Sequence, residues 1–261
     1  MGVQGMLWVT SPACTELETV VVDWLAELIG LPERVPHRRG GRRRHPGLGA
    51  SACLVALLAA LHRASGGAGR GRGHRRRYTL YVSSQTHSSL EKAARIAGLG
   101  AAGVRVVDVD PRTLAMDPAH LRELLAEDEA AGAVPRWCGA TVARHHHRRR
   151  SGARHRRGVR GSAGSGCTWT PPTPGSRRSV PSSGGLNDGR GRVRGLVRDE
   201  PHKWLLTNFD CGVLWTADRG PLPRAVDPAE YLRNTATSTG SVVDYRDWQV
   251  PLGRRFRALK L

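Results

Sequence analysis

Pro201-His202-Lys203-Trp204-Leu205-Leu206, followed by Asn208-Phe209-Asp210-Cys211, is the stretch around which this 261-residue chain is organised. The chain has three lysines against 38 arginines, and one of the three lies here, between an imidazole and an indole. An apolar, strand-like run follows, Cys211-Gly212-Val213-Leu214-Trp215. Burial disfavours the charged form of an amine, and a neutral lysine can attack a carbonyl to form a Schiff base. On spacing alone a lysine at a strand edge is the plainer reading of Lys203.

Working outward, the periodicity alternates between helix and strand. Thr15 and Glu18 have the T-x-x-E spacing of a capping box, opening a helix over residues 11–30. Its predicted apolar stripe is Leu17, Val20, Val21, Trp24, Leu25 and Leu28. A second helix starts at Ser51 and carries Leu54, Leu57, Leu58 and Leu61. Tyr78–Val82 reads as a strand, Ser83–Ser89 as a polar loop, and Glu91 to Gly98 as a helix. Val104–Val109 is the next strand, and Pro118–Glu129 the next helix, with Leu121, Leu124 and Leu125 on one face. This alternation predicts an α/β fold with a mostly parallel sheet flanked by helices. Ligands in such sheets bind beyond the carboxyl ends of the strands, where the Ser83–Ser89 loop falls.

Three segments interrupt the pattern: residues 34–49, 66–77 and 143–198, all rich in Arg, Gly and Pro. They produce the formal net charge of +19 and the pI near 11.3. Such a charge suits an anionic partner. The basic stretches carry almost no aromatics for stacking on bases, which argues against nucleic acid. Five scattered cysteines with no CxxC pair exclude a disulfide scaffold and a zinc ribbon. The triplet His145-His146-His147 has no second ligand cluster at helical or hairpin spacing, so no metal site is expected. No signal-peptide pattern and no apolar run of membrane-spanning length occur, which predicts a cytoplasmic protein without a membrane segment.

The orderly segments resemble the pyridoxal-phosphate-dependent group II amino acid decarboxylases, the aromatic-L-amino-acid decarboxylase family. The resemblance rests on Ser11–Glu18, Asp23-Trp24-Leu25, Ser84–Ser89 with Glu91-Lys92-Ala93, Ala140-Thr141-Val142, Pro201–Cys211, Tyr231-Leu232 and Pro251–Leu261, all in the family's order. It implies a fold-type I enzyme, a carboxy-lyase that converts an aromatic L-amino acid to its amine and works as a homodimer with pyridoxal 5'-phosphate. It further implies that Lys203 forms the internal aldimine and that His87 stacks on the cofactor ring. In the same way Tyr231 would return the proton to the substrate carbon after CO2 leaves. Cofactor contacts would come from His202, Ala50, Ser51 and Thr141. Residues 1–261 would then be a partial large domain, lacking the family's C-terminal small domain and its N-terminal substrate-closing segment.

Several family features are missing. Glu200 stands where the family has Asn or Asp. Gly49 and Ala50 fall near the family's Ala-Ser pair, and Thr170 falls where the family's cofactor aspartate belongs. The genetic code offers a reason. Trp169 is TGG and Thr170 begins AC, so the triplet across their junction is GAC, an aspartate codon, whatever the other bases. With favourable third bases the same shift over Cys167–Gly175 reads His-Val-Asp-Ala-Ala-Tyr-Ala-Gly, the family's aspartate segment. Arg42–Leu48 and Arg144–Arg148 are recovered in the same way. The expectation is a decarboxylase gene with small insertions or deletions, whose product folds poorly and has little activity. The rival is an Arg-rich polyanion-binding protein on a degenerate enzyme scaffold.

Overall fold

The computed structural model describes residues 3–28, 44–46, 49–112, 114–141, 166–170, 196–203, 205, 207–216, 221–226 and 235–261. Its frame is one seven-stranded sheet in the order β1-β7-β6-β5-β4-β2-β3. The strands are β1 (Arg44–Pro46), β2 (Tyr78–Ser83), β3 (Val104–Val107), β4 (Val134–Thr141), β5 (Gly166–Thr170), β6 (Leu196–Asp199) and β7 (Val213–Thr216). The pairs β2–β3, β2–β4, β4–β5 and β5–β6 are parallel. β7 is antiparallel to both β6 and β1, so β7 alone runs against the other six. The expected parallel-sheet architecture is therefore present, with one reversed strand.

Helices cover both faces. β2 is buried at every position, as a strand with two covered faces must be. Tyr78, Leu80 and Val82 pack with α2 (Gly49–Ala64) and α4 (Ser89–Ile96), together with Trp137 and Leu214. Tyr81 points the other way and packs with Leu121 and Leu124 of α5 (Pro118–Ala130), Val107 and Cys138. The same alternation splits β7. Leu214 belongs to the α2 side, while the buried Trp215 donates its indole N–H to the Val22 carbonyl of α1 (Pro12–Leu28) at 3.3 Å.

Local chemistry sets the element ends. Asp117 caps α5 by accepting the Ala119 N–H at 2.7 Å, with Pro118 at the first helical position. Gly132 takes φ +71° just after α5, a conformation that costs glycine least, and its N–H closes on the Glu129 carbonyl at 3.0 Å. The chain then enters β4.

The structure changes several sequence expectations. Thr15 and Glu18 form no capping box: both lie inside α1 and are buried. The Thr15 hydroxyl donates to the Ser11 carbonyl at 3.2 Å, and Glu18 pairs with Arg254 instead of the backbone. The buried face of α1 is Thr15, Glu18, Val21, Val22, Leu25 and Ala26, so the helix is rotated from the predicted stripe. Leu17, Val20, Trp24 and Leu28 stay exposed, Trp24 at 62 %. A distant arginine makes the burial of a carboxylate possible, and no local pattern carries that information. The loop expected at 66–77 contains a one-turn helix, α3 (Gly69–Arg72). The interrupted segments contain β1, β5 and β6, and α2 begins at Gly49 rather than Ser51. The third strand stops at Val107, while Val109 forms an isolated antiparallel bridge to Met116. No described helix is long and apolar enough to cross a membrane. Among the described residues no group of three or more His, Cys, Asp or Glu could hold a metal, and His145–His147 lie outside them.

Candidate active site

β1, β2, β4, β5 and β6 all end on one edge of the sheet, and β7 starts there, because Asp199 pairs in register with Val213. This edge gathers most of the residues singled out in the sequence. After β2 comes the Ser83–Ser89 loop with His87. After β1 comes the amino end of α2, with Ala50 and Ser51. β4 ends on Thr141, paired with Thr170 at the end of β5. After β6 a 3-10 turn, Pro201–Lys203, carries His202 and Lys203. Tyr231 lies outside the described residues.

The loop bearing His87 is held by its own polar groups. The Ser83 N–H donates to Thr86 Oγ1 at 3.0 Å, and the Thr86 N–H returns to the Ser83 carbonyl at 2.9 Å. The Ser89 N–H donates to His87 Nδ1 at 3.1 Å. His87 thus caps the first turn of α4, satisfying an amide that the helix itself leaves open. With Nδ1 accepting, the neutral ring carries its proton on Nε2. The residue is exposed. His87 is thus a polar group at a helix start.

His202, expected as a cofactor contact, is held by Cys211. Its Nδ1 accepts the Cys211 N–H at 3.1 Å, and its own backbone N–H donates to the Cys211 carbonyl at 3.3 Å. The Phe209 ring meets it edge-on at 4.9 Å between centroids. The Leu205 N–H closes the turn on the Pro201 carbonyl at 2.8 Å. These contacts clamp the Lys203 turn to the entry of β7. The imidazole fixes where the lysine's backbone sits.

A second set of side chains braces this edge from the far end of the chain. Arg257 donates through Nη2 to the Phe209 carbonyl at 2.6 Å and through Nε to the Asp210 carbonyl at 3.2 Å. Arg254, 2 % exposed at its side chain, donates to Glu18 Oε1 and Oε2 at 2.5 and 3.1 Å and to the Gly5 carbonyl at 2.6 Å. Its guanidinium also lies 4.9 Å from the centroid of the Tyr245 ring. Burial raises the Glu18 carboxyl above its ordinary value, and Arg254 offsets this only in part. Sequence reading missed this network, since its partners are 236 residues apart.

The donor set can be tested against pyridoxal phosphate. A lysine turn suits the aldehyde, the amino end of a 16-residue helix suits a phosphate, and an exposed imidazole suits a flat ring. The ring nitrogen needs an acid partner to stay protonated. The ends of β2, β4 and β5 are Ser83, Thr141 and Thr170, so these three strands end without a carboxylate. The residues fit the aldehyde and phosphate ends of the group; these three strand ends offer its nitrogen no carboxylate, and the acids on this edge are Asp199 at the end of β6 and Glu200 after it.

The chain belongs to the pyridoxal-dependent decarboxylase family, whose conserved domain matches residues 1–144 and 196–261. The family's cofactor is the one the lysine turn suits. The chain is 38 % identical over 267 residues to phenylacetaldehyde synthase of Arabidopsis thaliana, covering 100 % of this chain and 53 % of that protein. It is 36 % identical to tryptophan decarboxylase 2 of Oryza sativa subsp. japonica, over 98 % of this chain and 52 % of the relative. The crystal structure of Oryza sativa TDC with PLP and tryptamine superposes with a TM-score of 0.85 at 34 % identity, covering 99 % of this chain and 53 % of that one. The fold is that of the fold-type I decarboxylases. The chain spans about half the length of the curated relatives it matches.

Proposed function

We propose that this chain is the cofactor-anchoring part of a carboxy-lyase that decarboxylates an aromatic L-amino acid, with Lys203 as the cofactor lysine. The observation that carries the reading is the convergence of the Pro201–Lys203 turn, the His87 loop and the amino end of α2 on one sheet edge. Bound there, pyridoxal phosphate supplies an electron sink for the pair left when the Cα–carboxylate bond breaks. The remaining work falls to the chain's own residues. The amino end of α2, at Gly49–Ser51, offers the phosphate the N–H groups that a helix start leaves open. Thr141 stands at the end of β4 to border the ring. The His87 ring covers one face of the site, held in place by the Ser89 amide. Tyr231 returns one proton to Cα, so the products are the amine and CO2. Aromatic substrates are supported by relatives named for tryptophan and for phenylacetaldehyde.

We further propose that the working unit is a homodimer. The exposed row Leu17, Val20, Trp24 and Leu28 on α1 supports this, since a row of that kind leaves apolar area open to water. Sedimentation of the purified chain tests it: a monomer at micromolar concentration refutes it. Nothing in the comparisons supports the polyanion-binding alternative. For the enzyme reading, the chain is reduced with borohydride in the presence of pyridoxal phosphate and its peptides are mapped. A pyridoxyl adduct on Lys203 is expected. Adducts spread over Lys92, Lys203 and Lys260 without preference would refute the assignment.

A further inference from the structure

The strand at the centre of the sheet is the one that departs from the family. β5 is fourth of seven in sheet order, and it lies in the 145–195 stretch that the family's conserved domain does not match. It nevertheless takes its place: Trp137 to Thr141 of β4 pair with Gly166 to Thr170 in unbroken register, and β6 pairs on its other side. The scaffold is therefore that of a decarboxylase, and its middle strand ends on Thr170.

We infer that Thr170, at the carboxyl end of the central strand, leaves the site able to capture pyridoxal phosphate on Lys203 yet unable to keep the cofactor's ring nitrogen protonated. This rests on the proposed function, and it sharpens it from turnover to capture. The chemistry decides it. A pyridine nitrogen holds its proton near neutral pH only beside an anion, because an adjacent opposite charge shifts a pKa by about one to three units. A hydroxyl supplies no such charge. Ser83 and Thr141, at the ends of the two strands on the β4 side, supply none either. Of the acids near the other end of the edge, Asp210 is engaged by Arg257 at 3.5 Å and lies 3.8 Å from Arg255. An unprotonated ring draws electrons from Cα weakly, so the bond to the carboxylate breaks slowly while capture by the lysine continues.

The out-of-frame aspartate across codons 169 and 170 identifies the substitution to make, Thr170→Asp. Two readouts follow it in the full chain. The first is nitrogen-15 NMR of pyridoxal phosphate labelled at its ring nitrogen, which reports the proton directly and needs no turnover. The unmutated chain should give the unprotonated signal at neutral pH, and Thr170→Asp the protonated one. The second is CO2 release from L-tryptophan and L-tyrosine, expected to rise about ten- to a thousandfold, as one to three pKa units imply. Thr170→Asn, which adds an amide without charge, should produce neither change. Borohydride labelling of Lys203 in every variant shows that the fold and the capture survive. A protonated ring nitrogen in the unmutated chain would mean that an acid such as Asp199 or Glu200 serves it, and would overturn the inference while the proposed function stands. The inference falls equally, and the proposed function again stands, if Thr170→Asp labels normally and gains nothing. If no variant labels Lys203, the proposed function fails and the inference fails with it.

Discussion

The ion pair between Glu18 and Arg254 makes an asymmetric prediction. Both side chains are almost completely removed from water, at 3 % and 2 % exposure. Breaking a buried pair from one side leaves a charge without its partner and costs about 3–5 kcal/mol. For a chain of this size that lowers the melting temperature by roughly 6–20 °C, at about 2–4 °C per kcal/mol. The two ways of breaking it differ with pH. In Arg254→Met the orphan is a carboxyl already raised by burial, and without the arginine it rises further. A folded pKa above the unfolded value of 4.5 means that the folded state holds the proton more tightly. Stability is then greatest at low pH and falls as pH rises through the folded value. Arg254→Met should therefore lose less at about pH 5 than at about pH 8. In Glu18→Leu the orphan is a guanidinium, which cannot lose its proton, so the variant's own stability should carry no pH dependence from this site. The double variant Glu18→Leu with Arg254→Met removes both charges and should recover most of the loss. Urea unfolding followed by tryptophan fluorescence at the two pH values measures all four corners of the cycle. A loss below about 1 kcal/mol for Arg254→Met at the higher pH would show that the pair is not desolvated, and the reasoning would fall.

Tyr81 donates to the buried Asp128 at 2.7 Å, and burial raises its phenol above the ordinary value of 10.0. Above that pH the unfolded chain gives up a proton that the folded chain keeps, so stability falls as pH rises. Tyr81→Phe should cost about 1–3 kcal/mol at neutral pH by leaving Asp128 short of a donor, and should flatten the alkaline limb of a pH–stability curve. Trp215→Ala should cost about 3–5 kcal/mol in the same unfolding assay, since it empties a fully buried site and removes the indole hydrogen bond to the Val22 carbonyl. His202→Ala frees the Lys203 turn from Cys211, so borohydride labelling of Lys203 should slow although the lysine is unchanged; an unaltered labelling rate would show that the clamp does not position it.

The sheet was legible because its signals are local. Tyr78–Ser83 has strand composition and becomes a doubly covered strand, and Pro118 with Asp117 starts a helix where the sequence says one starts. The turn carrying Lys203 and the loop carrying His87 fall beside the strand ends for the same reason, since short connections leave a strand where it stops. The face of α1 was not legible. Its pattern of leucines and valines points one way, while a single arginine more than 230 residues later turns it another. β1 and β5 were hidden for other causes: Arg-His-Pro lacks strand composition, while Gly-Cys-Thr-Trp-Thr, whose Thr and Trp favour strands, is short and set in an Arg-, Gly- and Pro-rich stretch.

The position of β1 bears on how the chain comes to be folded at all. Its partner is β7, so a segment made first waits for one made well after it. Closing so long a loop is entropically costly and slow, and the half-built sheet stays open at that side meanwhile. Arg44-His45-Pro46 is a suitable segment to leave waiting. Its charge and its proline discourage pairing with a neighbouring nascent chain, so the delay in synthesis need not end in aggregation.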